Sequence, residues 1–365
     1  MKLIFTLLYC FIFLATIAKA QTWTVQTPPA GVTSTFYSVY FIDSNTGWAV
    51  GTSGKIIKTT DGGTTWVNKT GTTSTALNSV FFIDANTGWA VGASSKILKT
   101  TDGGTSWTDY SKTTNTFKSV FFANSTTGWV CTTGGKIFKS ADGGVTWNLQ
   151  TTATSGLQSI FFIDASTGYA VGSNDGAGGN AVILKTVNGG TNWTSQTSGT
   201  TNNLTGVYFV DANTGYAVDD ASITGNATIL KTINGGTDWV SQTSGTTNNL
   251  QSVCFVDAST GYTVGGTGTI LFTNDGGANW TSQESGIDSG ALNSVVFTDV
   301  NTIWAVGASQ IILKSINGTG SGFLDPTFGT SGKTTTAIGY DAHTRALAIQ
   351  GNGENCRGRI FISYK

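Results

Sequence analysis

Six segments set a carboxylate or carboxamide before two glycines and a tryptophan. They are KTTDGGTTW (Lys58 to Trp66), KTTDGGTSW at 99–107 and KSADGGVTW at 139–147, then KTVNGGTNW, KTINGGTDW and FTNDGGANW, ending at Trp193, Trp239 and Trp280. A carboxylate in such a place can move a proton, ligate a cation or cap a turn by accepting the backbone amides that follow it. The cap fits best. Asp61, Asp102, Asp142 and Asp275 share their position with Asn188 and Asn234, and a carboxamide keeps the accepting oxygen while losing any acid–base role. Nor does one active site need its carboxylate position repeated six times along the chain.

Chemistry specific to this chain is sought among polar residues outside the repeated positions. Asp175, Asp219 and Asp220, with Asn174 and Asn180, fall in two longer segments, GSNDGAGGNA at 172–181 and DDASITGNA at 219–227. Oxygen-rich, Gly-rich loops of this kind suit a hard cation such as calcium, which takes about six to eight oxygen ligands. A pair of carboxylates drawn from them would serve as general acid and base on a glycosidic bond. With neither cation nor substrate, they form an acidic binding surface.

Composition removes other classes. The single histidine is His343, so a Ser-His or Cys-His nucleophile has no base before the tail. Residues 21–150 carry nine Lys against six Asp, whereas residues 151–320 carry three Lys against eleven acids. Nucleic acid calls for a basic stripe, and that balance excludes it. Cys131, Cys254 and Cys356 are widely spaced and make no Cys-x-x-Cys or Cys/His cluster, which argues against a disulfide framework and a zinc site. The opening MKLIFTLLYCFIFLATIAKA has a basic residue, an apolar run and a small-x-small end at Ala18-Lys19-Ala20, the form of a secretory signal over residues 1–20. No other apolar run is long enough to span a membrane. A secreted monomer is expected, with a protein or polysaccharide ligand and no resident cofactor unless calcium.

The elements that position these residues come from a repeat. YSVYFIDSNTGWAVG (37–51) returns with variations at 78–92, 118–132, 158–172, 205–219, 251–265 and 293–307, and SQTSGTTNNL occurs verbatim at 195–204 and 241–250. Within a unit, SVFFI reads as a strand, DANTG as a turn, GWAVG as a second strand, KILKT as a third, DGG as a tight turn and TSWTDY as a fourth. Antiparallel four-stranded units at this spacing are propeller blades. The near-continuous apolar first strand predicts packing on both faces in the innermost position. The seventh unit lacks its fourth-strand Trp, running KSINGTGSGF at 314–323, while TWTVQT at 22–27 has that strand's form. The fold is therefore read as all-β, a seven-bladed β-propeller over residues 21–320 closed by its N-terminal strand. The aromatics that open the second strands, Trp48, Trp89, Trp129, Tyr169, Tyr216, Tyr262 and Trp304, read as packing between blades. Asp43 and its equivalents read as first-turn residues, and Lys58 and its equivalents as solvated charges near the turn acids.

The motif Thr59, Asp61, Gly63, Thr65, Trp66 resembles the Asp-box of the bacterial neuraminidase repeat. The whole unit, SVxFID-x-x-TGWAVG…ILKTTDGGxxW, resembles the photosystem II assembly/stability factor-like propellers. That resemblance implies a secreted or lumenal seven-bladed ring acting as a non-enzymatic assembly factor. It also implies an arginine-lined client patch in photosynthetic members, yet residues 21–344 contain no Arg. The same gap excludes sialidase activity, which holds a substrate carboxylate with an arginine cluster. A binding scaffold is the reading, with an extracellular glycoside hydrolase using Asp219 or Asp220 as its alternative.

Residues 321–365 depart from the blade pattern. LDPTFGTSGK (324–333) resembles the opening of a different bacterial propeller repeat, which stops after Gly353. One allowed coding of ENCRGRIF, read one base later, yields Lys-Ile-Val-Val-Ala-Gly-Tyr, the continuation that repeat would have. A truncated partial repeat, frameshifted after about residue 353, is the expectation. Arg357, Arg359 and Cys356 would then lie outside any site.

Overall fold

A computed structural model describes residues 22–69, 73–111, 114–174 and 179–316. The signal segment 1–20, the tail 321–365 and Asp175 lie outside the described residues.

Seven antiparallel four-stranded sheets form the blades of a propeller. Blade 1 runs Phe36–Phe41, Gly47–Gly51, Ile56–Thr59 and Val67–Asn68 from the axis outward, and blades 2 to 6 follow the same order. Blade 7 takes three strands from one end of the ring, Leu292–Phe297, Thr302–Gly307 and Ile312–Ile316, and its outermost from the other, Trp23–Val25. The closing register is Trp23 with Ser315, Thr24 with Lys314 and Val25 with Leu313. Trp23 is 5% exposed and sits edge-on to Tyr262 of blade 6, 5.9 Å between rings. The N-terminal strand thus fills the role read from TWTVQT, and the all-β, seven-bladed expectation holds.

One expectation about the core changes. Full burial belongs to the second strand: Gly47–Gly51 and its counterparts are buried at every residue. Innermost strands alternate instead, with Phe36, Val39 and Phe41 buried and Tyr37, Ser38 and Tyr40 only half-buried. The reason is geometric. A second strand has a neighbouring blade on each face, whereas an innermost strand turns one face to the central axis. A register shift between Phe36 and Ser38 recurs in every blade and sets two successive residues toward that axis.

Blades meet through aromatics. Trp48 stacks on Phe82 of blade 2 at 3.5 Å, Trp89 on Phe122 at 3.5 Å, and Trp129 on Phe162 at 3.6 Å. The fourth-strand Trp then meets the same Phe edge-on, as Trp107 does Phe82 at 5.9 Å. Each Phe is held between a face and an edge, the two arrangements that aromatic quadrupoles favour.

Candidate functional site

The Asp-Gly-Gly turns resolve into fasteners. Asp102 accepts the Ser106 backbone amide at 2.8 Å, the Ser106 hydroxyl at 2.6 Å and the Thr100 hydroxyl at 2.8 Å. Thr100 Oγ1 in turn accepts the Gly104 amide at 2.8 Å. Gly103 and Gly104 have φ of 69° and 84°, which an L side chain adopts only under strain. Asn188 repeats the main contacts, accepting from the Asn192 amide at 2.9 Å and the Thr186 hydroxyl at 3.0 Å. The carboxylate charge is dispensable there, as expected of a cap.

Each turn also receives the blade before it. The Gly103 carbonyl accepts from Trp48 Nε1 at 3.1 Å and from Lys58 Nζ at 2.9 Å, both in blade 1. Gly189 accepts likewise from Trp129 and Lys139, and Gly235 from Tyr169 Oη and Lys185. Lys314 reaches Gly62 at 2.7 Å and so joins blade 7 to blade 1. These lysines are therefore inter-blade donors rather than solvated partners of the turn acids. Each lies over the second-strand aromatic of its own blade, Lys58 5.0 Å from the Trp48 ring. Desolvation lowers the Lys58 pKa. Among the described residues the one ion pair is Lys96–Asp109.

The hydrogen bonds to Asp102, Asp142 and Asp275 hold each pKa down to about 2, from an ordinary 3.8. A depressed carboxylate stabilises the fold fully above its unfolded pKa, and that contribution fades as pH falls through the folded value. The urea midpoint should therefore drop between about pH 4 and pH 2. A variant with Asn at Asp102, Asp142 and Asp275 should show a shallower fall, followed by circular dichroism. An identical acid profile in the variant would refute the assignment.

The loop residues lie on the opposite face, where second-to-third-strand loops meet the blade-to-blade connections. Asp219 is wholly buried at the end of the second strand of blade 5. Its carboxylate accepts the Thr228 amide at 2.9 Å, the Ala221 amide at 3.2 Å and Asn202 Nδ2 at 3.1 Å. Burial raises its pKa against these bonds. Asp219 therefore anchors its loop from inside and offers no oxygen to solvent. Asp220 is half-buried and accepts Asn203 Nδ2 at 2.9 Å and the Ser222 amide at 3.0 Å. Asn174 donates its backbone amide to Asn203 Oδ1 at 3.0 Å and its side chain to the Thr201 carbonyl at 2.9 Å. Asn180 is exposed.

The structure thus joins Asn174 to Asp220 through Asn203, a bridge from blade 4 to blade 5. Asn202 beside it has Oδ1 on the Ile223 and Thr224 amides, at 3.1 and 2.9 Å, and orders the blade 5 loop. Neither asparagine stood out by sequence, because both sit in the verbatim SGTTNNL duplicate. Their one signal was that carboxamides are the side chains able to donate and accept at once. No group of three or more His, Cys, Asp or Glu suited to a metal comes together among the described residues. For calcium, the Asp219 oxygens are already filled by N–H donors.

Residues 15–115 and 233–323, together more than half of the chain, match the family of the photosynthesis system II assembly factor YCF48. The chain belongs to this family. Solved YCF48 structures agree in fold. One, described as bound to D1 peptide, superposes with a TM-score of 0.67 at 22% identity, covering 80% of this chain and 96% of that one. YCF48 from Cyanidioschyzon merolae gives 0.66 at 20% identity, covering 82% and 99%. A virginiamycin B lyase from Staphylococcus aureus reaches 0.66 at 14% identity, covering 81% and 99%, so the same ring also serves an enzyme. No curated protein matches the chain in sequence. At such identities the structural likeness carries the fold, and the YCF48 family match carries membership.

Proposed function

We propose that this chain is a secreted, non-enzymatic scaffold that holds a protein client on the loop face of blades 4 and 5. The observation that supports it is the Asn174–Asn203–Asp220 bridge, which fastens two blade-specific loops into one polar surface. Loops fixed to a rigid ring present a binding surface at little ordering cost. Family membership supports assembly or binding as the role. A YCF48 bound to D1 peptide makes a polypeptide the favoured class of client. Recognition here would not run through arginine, since residues 21–344 contain none. Export is inferred from the signal-like residues 1–20.

The hydrolase alternative loses one of its acids. Asp219 has no solvent-facing oxygen and so cannot meet a substrate as acid or base.

The test uses the full chain immobilised against native envelope extract and culture fluid, beside an Asn203→Ala, Asp220→Ala variant. A defined protein retained by the parent and lost at least tenfold in the variant is the expected result. Polysaccharide turnover abolished by Asp220→Asn would overturn the scaffold reading.

A further inference from the structure

The ring's axis holds a polar well that the loop face does not account for. A cavity of about 160 Å³ lies between the innermost strands and is lined by residues from all seven blades. Two circuits make its wall. The first is a hydroxyl belt set by the repeated register shift: Ser38, Ser79, Ser119, Ser159, Ser252 and Ser294, with Gly206 completing the circle in blade 5.

Four of these hydroxyls accept from the wall, whereas Ser119 donates to the Ile160 carbonyl at 3.5 Å. Ser38 Oγ accepts the Val80 amide at 3.3 Å, Ser79 the Val120 amide at 3.3 Å, and Ser252 the Val295 amide at 3.2 Å. Ser294 accepts the Val39 amide at 3.3 Å across the closure. At Ser38, Ser79, Ser252 and Ser294 the oxygen is engaged by the wall and the hydroxyl proton is left to donate into the well.

The second circuit stands one residue earlier in each strand, nearer the loop face, and its side chains differ from blade to blade. Asn78 and Asn293 there commit their Nδ2 groups to Phe117 and Phe36 carbonyls of the next blade, at 2.7 and 2.8 Å. In blade 3 the position is Lys118, the one charged residue that lines the cavity. No Asp or Glu lines it, and Lys118 enters no ion pair among the described residues. Farther along the same strands, Tyr40, Phe81, Phe121, Phe161 and Tyr208 pass ring to ring at 4.9 to 5.6 Å. The well is therefore cationic at its mouth, protic along its wall and aromatic beneath.

We infer that this well is a binding site for a carboxylate, with Lys118 as its counter-charge and Ser38, Ser79, Ser252 and Ser294 as its hydrogen-bond donors. A carboxylate gains from both at once, because hydrogen bonds to a charged acceptor are about twice as strong as neutral ones. The volume admits a short dicarboxylate or the last residue of a polypeptide, and both carry the same chemistry. The site is separate from the loop bridge of blades 4 and 5 and does not depend on the scaffold reading.

Titration calorimetry on the full chain at low salt decides it, with succinate, a free-acid Gly-Ser-Ala-Ala peptide and that peptide's C-terminal amide as probes. Succinate or the free-acid peptide should bind, the amide should not, and Lys118→Gln should weaken binding at least tenfold. Gln is the residue that blades 4 and 6 carry there, at Gln158 and Gln251, so the ring should melt as the parent does. Binding of succinate marks a free metabolite as the source, whereas binding of the peptide alone marks a chain terminus. No binding by either acid at millimolar concentration overturns the inference. So does equal affinity for acid and amide, or affinity unchanged by Lys118→Gln.

Discussion

Removing residues 22–26 should leave a ring that aggregates on purification or melts far below the parent. The deletion takes away a short strand whose role exceeds its length. Its three-residue register with Ile312–Ile316 covers what would become an open sheet edge, and open edges pair with other chains. The loss reaches into the core, because Trp23 packs with Tyr262, Leu292 and Leu313 in one cluster. Removing a buried Trp costs about 3–5 kcal/mol by itself. Trp23→Ala in the intact chain separates the two contributions: its urea midpoint should fall without the light scattering that the deletion produces. A truncated chain that stays monomeric and melts like the parent would mean the ring closes some other way.

Trp48→Ala should cost about 3–5 kcal/mol, read as a shift in urea midpoint. The side chain is wholly buried and stacked on Phe82, so truncation opens a cavity in the interface of blades 1 and 2. The change also removes a donor from the Gly103 carbonyl and leaves Lys58 alone upon it. Trp48→Tyr should recover most of the loss, since Tyr169 and Tyr216 reach the equivalent carbonyls at 2.7 Å in blades 4 and 5. Trp48→Phe should fall short of Tyr by about 1 kcal/mol, the net worth of one hydrogen bond. Equal stability for Phe and Tyr would show that packing alone holds the interface.

The architecture was legible because repetition amplifies weak signals. One SVFFI run is ambiguous, but seven at regular spacing, six of them followed by a Gly-aromatic strand and a glycine turn, leave one arrangement. The turn acids could be read as caps from the Asn188 and Asn234 exchange alone. The lysines could not be placed, because their acceptor is a carbonyl about 45 to 50 residues away in the next blade. Asp219 misled for the opposite reason. A carboxylate at the edge of a polar loop reads as exposed, and only the amides of Ala221 and Thr228 show that it turns inward. Lys118 carried a faint signal: blade-specific side chains recur at one repeated place, but no local pattern shows that the seven converge on an axis.

Where one blade latches to the next, as at every junction but that of blades 6 and 7, the latch has a direction. Donors stand on one flank, as Trp48 and Lys58 do, and the accepting glycine carbonyl stands on the other, as at Gly103. A blade copied within the gene therefore arrives with both halves of its joint already cut to fit, and no neighbour must change to receive it. The verbatim SQTSGTTNNL pair in blades 4 and 5 has the mark of such a copy. Ring size is then limited by the angle between successive blades rather than by their chemistry, and new loops can be tried on a duplicated blade while the joint stays the same.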